Sequence, residues 1–175
     1  NPYRMMMTPG AGVGGHCLPK DSWLLKYGVD KYGSFKVTPY VLVESRRIND
    51  YMPTHMRDLI IEALKQWGMR PENARVALLG YAFLEDSDDT RNTPALPLYR
   101  MLETLCREVI VHDPYVREEE DVNLTEDLEK AVMGRDCIAL VTRHREYSTI
   151  DLNWLRDVMR TPIIVDGRNV FKSEE

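Results

Sequence analysis

RVALLGYAFLEDSDDTRNTPALPLYRMLETLCREVIVHDP, residues 75–114, is the stretch on which the fold turns. An apolar run over 75–79 stops at Gly80, apolar positions recur at helical spacing over 94–105, and a second apolar run over 108–112 stops at Asp113-Pro114. Both runs are apolar without alternation, as parallel strands covered on both faces require. The pattern continues downstream: a short helix over 127–132, a strand over 137–142, a helix over 151–159 and a strand over 163–166. These connections suit right-handed crossovers, so the chain reads as α/β with a small doubly wound parallel sheet. Ligands of such sheets bind beyond the carboxyl ends of the strands. Here those ends are residues 80–91, Asp113-Pro114, residues 142–147 and Gly167-Arg168.

Upstream, MRPENA (69–74) marks a boundary, and the segment before it is helical. Thr38-Pro39 supplies a cap and a first-turn proline. Val41, Leu42, Ser45, Ile48, Met52, Met56, Leu59, Ile60, Ala63, Leu64 and Trp67 then keep a 3.6-residue period up to Gly68. Pro53 lies inside this pattern and is expected to kink or split the helix after Met52. A helix of about 30 residues is roughly 45 Å long. That exceeds one small domain, so the face made by Val41, Ile48, Met52, Met56 and Leu59 is expected to need a partner surface, most simply a second copy in a homodimer. A shorter helix is expected over residues 22–27, capped by Asp21 or Ser22 and ending near Gly28. The expected division is residues 1–36, a loop and short helix; 37–70, the long helix; and 71–175, the sheet domain.

Among 175 residues, 43% are hydrophobic, enough for a core. No apolar run approaches the roughly 20 residues that cross a bilayer, and NPYRMMMT lacks the apolar region of a signal peptide, so a cytoplasmic setting is the expectation. The net charge of -5 and the lack of clustered Lys and Arg argue against a nucleic-acid partner. REEED (117–121) reads as a solvated loop. Cys17, Cys106 and Cys137, odd in number and widely spaced, fit neither a disulfide framework nor a zinc site. Cys106 and Cys137 sit in apolar patterns as core filler. His16, His55, His112 and His144 show no ligand spacing, and no metal is expected.

Cys17 sits in different company, in PGAGVGGHCLPKD (9–21). Gly10, Gly12 and Gly15 satisfy G-x-G-x-x-G, yet a pyrophosphate loop needs a strand before it and a helix after it, and neither is legible here. The small residues instead let backbone and a thiol approach a bulky substrate. Lys20 supplies a charge that favours a thiolate and Asp21 a proton acceptor for water. His16, adjacent on an extended segment, points away from Cys17, which counts against a cysteine hydrolase.

Gly12-Val-Gly-Gly-His-Cys17-Leu-Pro-Lys20-Asp21 resembles the catalytic cysteine motif of the UDP-glucose/GDP-mannose dehydrogenase family. Ile48-Asn49-Asp50 with Met52-Pro53 is similar to that family's central dimerisation helix. VALLGYAFLEDSDDTRNTP (76–94), HDPYV (112–116) and DGRNVF (166–171) resemble its Rossmann-like UDP-binding domain. The resemblance implies an NAD-dependent, four-electron oxidation of a nucleotide sugar's C6 alcohol to a carboxylate, of use in polysaccharide synthesis. Cys17 is then the nucleophile, with Asp21 activating water and Lys20 near the nicotinamide. Gly10, Gly12, Gly14 and Gly15 form a wall around the nucleotide-sugar substrate. Phe83 contacts the nucleotide, Arg168 holds the substrate and Arg91 reaches the cofactor. The family's complete members carry a further N-terminal NAD domain, so this chain resembles a carboxyl-terminal fragment, inactive alone.

Leu84 departs from the family's pattern, because many members carry a lysine there that contacts the nucleotide or sugar, and leucine donates no hydrogen bond. The Gly14-Gly15-His16-Cys17 form resembles the branch acting on N-acetylhexosamine nucleotides. A UDP-glucose dehydrogenase is the alternative, and a non-catalytic nucleotide-binding and dimerisation module is the alternative for the fragment alone.

Overall fold

The computed structural model describes residues 9–34, 37 and 39–171. In chain order the elements are α1 (Leu18–Tyr32), α2 (Tyr40–Gln66), a 3-10 turn (Pro71–Asn73), β1 (Arg75–Leu79), α3 (Ala95–Leu105), β2 (Glu108–His112), β3 (Leu124–Thr125), α4 (Leu128–Val132), β4 (Cys137–Leu140), a second 3-10 turn (Arg145–Thr149), α5 (Leu152–Val158) and β5 (Ile163–Asp166). All five strands are parallel, in the order β3-β2-β1-β4-β5. The chain therefore reverses direction across the sheet between β1 and β4, the switch point at which such sheets open a crevice. Four of these strands match the expected segments; β3, two residues long, carries no periodic signal.

Strands buried on both faces make two cores. Val76, Leu78, Val111 and Ala139 face one side, where α3 (Leu98, Leu102) and the second half of α2 (Met56, Ile60, Leu64) cover them. Ala77, Leu79, Ile138 and Leu140 face the other side, under Ala131 and Val132 of α4, Leu155 of α5 and Tyr147. Fully burying a Leu or Ile side chain contributes roughly 1.5–3 kcal/mol, so α2 is held to the sheet by its second half alone.

Three expectations are corrected. The first helix is not confined to 22–27: it starts at Leu18, with Pro19 in its first turn and Cys17 as its N-cap, and passes through Gly28 to Tyr32. Asp21 lies in its first turn and caps nothing. The Gly-rich loop thus does lead into a helix. Pro53 does not split α2, which runs unbroken from Tyr40 to Gln66 with the proline buried inside it. One intrahelical hydrogen bond is lost there, and the ring packs beside Gly12 instead. Met56 is not available to a partner, because it lies in the chain's own core. Thr38, the expected cap, lies outside the described residues.

Cys137 is buried and Cys106 half-buried at the C-terminal end of α3. Burial pushes the Cys106 thiol up to about 11 and the Cys137 thiol further, as inert core residues require. Among the described residues no helix is long and apolar enough to cross a membrane, and no cluster of His, Cys, Asp and Glu has the form of a metal site.

Candidate active site

Cys17 stands at the N-terminal end of α1, exposed, in helical backbone geometry (φ -89°, ψ -56°). Its carbonyl accepts the amide hydrogens of Lys20 and Asp21 at 3.1 and 2.9 Å, closing the first turn. Because that turn is helical, the extended geometry that would separate His16 from Cys17 does not hold. Lys20 Nζ donates to Asp21 Oδ1 at 2.6 Å, with both side chains about half exposed. That hydrogen bond, with the nearby charges of Asp21 and Cys17, raises Lys20 above its ordinary value against the opposing effect of desolvation.

The loop before Cys17 is pressed onto the loop that follows β1. A Cβ on Gly14 would lie 2.6 Å from both the Asn92 carbonyl oxygen and Phe83 Cβ, so only glycine permits the contact. Gly15, at φ +88°, occupies the left-handed side of backbone space. Its amide donates to the Arg91 carbonyl at 2.8 Å, its carbonyl accepts from Asn92 Nδ2 at 2.9 Å, and the Phe83 ring lies over it. Gly10 lies under the Arg168 side chain and Gly12 against Pro94. From α2, Asn49 Nδ2 donates to the Val13 carbonyl at 3.3 Å. The four glycines therefore face the chain's own side chains and backbone.

The post-β1 loop is itself built on buried polar groups. Asp113, at the carboxyl end of β2 and wholly buried, accepts the amides of Tyr81 (2.7 Å) and Ala82 (2.9 Å) on Oδ2 and those of Tyr115 (2.9 Å) and Val116 (3.2 Å) on Oδ1. His144 is equally buried, and its Nδ1 accepts the Asp86 amide at 3.0 Å. That leaves Nε2 to carry the proton and donate to Asp113 Oδ2 at 3.0 Å. Burial alone would push the Asp113 carboxyl up; the hydrogen bonds from His144, Ala82 and Tyr115 outweigh it and hold the group below its ordinary value. Next to this pair, Tyr147 Oη lies 2.9 Å from His112 Nδ1, and burial lowers His112 while raising Tyr147.

Of the residues singled out in the sequence, Phe83, Arg91 and Arg168 meet the loop before Cys17 directly, the first two at Gly14 and Gly15 and the third at Gly10. Arg91 is largely exposed, with its guanidinium paired to Asp89. The hydrogen bond to Arg91 depresses Asp89 to about 2, and Arg91 is raised chiefly by Asp89, with a smaller contribution from Cys17. Both cations near the thiol thus carry a carboxylate partner. Arg168 pairs with Glu85 at 2.9 Å, joining the loop after β5 to the loop after β1. Leu84 is half exposed, at 50%. A cavity of about 330 Å³ lies against Gly12, Val13, Pro19, Asn49, Asn92 and Thr93. A larger apolar groove of about 660 Å³ runs between α1 and α2 past Leu18, Leu25, Val41 and Leu42, and it includes Asp21 but not Cys17. Asn49, Asn92, Asp113 and His144 escape a reading by residue type, because their partners lie far away in sequence.

Residues 77–173 match the UDP binding domain of the UDP-glucose/GDP-mannose dehydrogenase family, and residues 2–51 match that family's central domain. The chain belongs to this family. Its relatives include the UDP-N-acetyl-D-mannosamine dehydrogenase of Pyrococcus horikoshii, 39% identical over 98% of this chain. The UDP-glucose 6-dehydrogenase of Rhizobium meliloti is 29% identical over 95%. Among solved structures, an NDP-N-acetyl-D-galactosaminuronic acid dehydrogenase from Methanosarcina mazei Go1 is 39% identical and superposes with a TM-score of 0.90 over 95% of this chain and 36% of its own. The chain spans 38% of the length of the P. horikoshii and R. meliloti relatives, so it corresponds to the C-terminal part of these nucleotide-sugar dehydrogenases.

Proposed function

We propose that the full-length protein oxidises the C6 alcohol of a nucleotide-linked N-acetylhexosamine to the uronic acid, with NAD, through a thiohemiacetal and a thioester on Cys17. The observation that carries this reading is an exposed thiol at a helix N-terminus, next to Lys20 and Asp21, on a loop seated against Phe83. The Cys17 sulfur adds its electron pair to the carbon of the aldehyde-level intermediate, whose oxygen takes a proton. Loss of a hydride from that carbon, with the proton of its hydroxyl released to solvent, then leaves the thioester. Asp21 accepts a proton from water through the oxygen that Lys20 does not occupy, the water adds to the thioester carbonyl, and the carbon–sulfur bond breaks to free the carboxylate and the thiol. Splitting the oxidation in this way lowers each barrier. NAD, when bound, supplies the hydride acceptor for both oxidations, two molecules per turnover.

The residues present fit one edge of that cofactor only. Lys20 and Arg91 are exposed cations that suit its charged groups, and no other residue of this chain is assigned to it. The isolated chain accordingly forms no NADH when given NAD and nucleotide sugars. Phe83, Leu84, Arg168 and the backbone of Gly10, Gly12, Gly14 and Gly15 are assigned to the substrate. The preference for an N-acetylhexosamine is supported by the Gly14-Gly15-His16-Cys17 motif and by relatives of 39% identity named for such sugars, against 29% for the UDP-glucose enzyme. A cytoplasmic homodimer, paired through the exposed residues of α2, completes the reading.

Two measurements on the full-length protein test it. Cys17→Ser stops release of the acid, and normal turnover by that variant ends the covalent mechanism. NADH formation across UDP-N-acetylmannosamine, UDP-N-acetylglucosamine, UDP-N-acetylgalactosamine and UDP-glucose identifies the sugar, and activity on UDP-glucose alone overturns the preference.

A further inference from the structure

We propose that Asn92 is the positioning residue for the Cys17 thiol. Resting on the assignment of Cys17 as nucleophile, the inference adds a residue that holds it. Two hydrogen bonds join the loops: Gly15 N–H to the Arg91 carbonyl at 2.8 Å and Asn92 Nδ2–H to the Gly15 carbonyl at 2.9 Å. They clamp the chain just ahead of the thiol to a segment far away in sequence, 77 residues on in the case of Asn92. The contact has no slack, since the Asn92 carbonyl oxygen lies where any side chain on Gly14 would begin. Asn92 is itself on firm ground. Before it, the Arg91 amide donates to Asp89 Oδ1 at 3.1 Å; after it, Thr93 Oγ1 accepts the Ala95 amide at 3.1 Å, fixing the start of α3.

The residue type matters twice. At φ 50° Asn92 is in left-handed backbone, which asparagine tolerates better than most residues, and its amide supplies the donor that the Gly15 carbonyl needs. The same loop carries Phe83 against Gly14 and Gly15, so one segment sets both the nucleotide contact and the placement of the sulfur.

Asn92→Asp keeps the shape and the backbone preference but turns an oxygen toward the Gly15 carbonyl. Asn92→Gly removes the donor without backbone strain. Hydrogen exchange of the Gly15 amide in this chain should accelerate in both variants while β1 stays protected. In the full-length enzyme, kcat of Asn92→Asp should fall by about 100-fold with KM for the nucleotide sugar within about twofold, since misplacement by an ångström costs rate rather than binding. Unchanged exchange at Gly15, unchanged kcat, or a rise in KM with kcat intact each overturns the inference. Global loss of protection in both variants also overturns it, because Asn92 would then be a folding residue. Failure here leaves the covalent mechanism standing so long as Cys17→Ser is dead; if Cys17→Ser turns over normally, that mechanism falls and this inference falls with it.

Discussion

The two ends of this chain solve different problems. The sheet domain closes its own cores: Leu78, Leu98, Ile138 and Leu140 are fully buried, and helices cover both faces. The N-terminal helices do not. No described residue of α1 is buried, and Leu24, Leu25, Tyr27 and Tyr32 are exposed, as are Tyr40, Val41 and Ile48 on the first half of α2. The border runs inside a single helix, near Pro53, where α2 passes from a half with Tyr40, Val41 and Ile48 exposed and only Val43 and Arg46 buried to one packed in the sheet core. The loop before Cys17 thus sits on a fold that closes its own cores, beside an apolar surface that the described residues leave uncovered.

The largest expected effect lies on the closed side. Asp113→Ala leaves the amides of Tyr81, Ala82, Tyr115 and Val116 and the His144 ring without their acceptor, and about 3–5 kcal/mol of stability is lost, as when a buried charge pair is broken. Urea denaturation of this chain measures it; a loss under about 1 kcal/mol would mean that water or another group replaces the carboxylate. Next comes Ile60→Ala, at about 2–5 kcal/mol, from a side chain with no exposed surface at the α2–sheet contact. A negligible loss there would place the border C-terminal to Ile60 and leave Leu64 as the residue of α2 that holds the sheet.

How much of this was legible follows the same border. β1, β2 and β5 could be read to the residue, because buried parallel strands are apolar throughout and end at Gly80, Asp113 or Gly167. The start of α1 was hidden: Cys17 gives no side-chain cap, and Gly28 reads as a stop although the helix passes through it. With its apolar residues exposed, α1 also lacks the buried stripe that marks a helix. Cys17, Lys20 and Asp21 stood out by residue type. The grip of Asn92 on Gly15 and the convergence of four amides on Asp113 exist only once distant segments meet, so no local pattern announces them.

A smaller effect is set by pH, also on the closed side. Burial lowers His112, so its contribution to stability is whole above the ordinary histidine value of about 6.5 and is lost as pH falls through the folded value. Asp113 is also lowered, so its contribution is whole above the carboxylate range, about 4, and is lost as pH falls further. Urea midpoints should therefore decline in acid in that order. His112→Gln removes the first decline and spares the second. Equal midpoints at about pH 5 and about pH 8 in the unaltered chain would dissolve the first step.

Ile48→Ala, three turns before Ile60 on the same helix, is the smallest expected effect and the sharpest test of the border. Ile48 is 65% exposed, so its truncation should change the stability of this chain by less than about 0.5 kcal/mol. A loss as large as that of Ile60→Ala, growing with protein concentration, would mean that a second copy already covers the first half of α2. The contrast would then be between a core closed within one chain and a core closed between two, and Pro53 would mark the passage from one to the other.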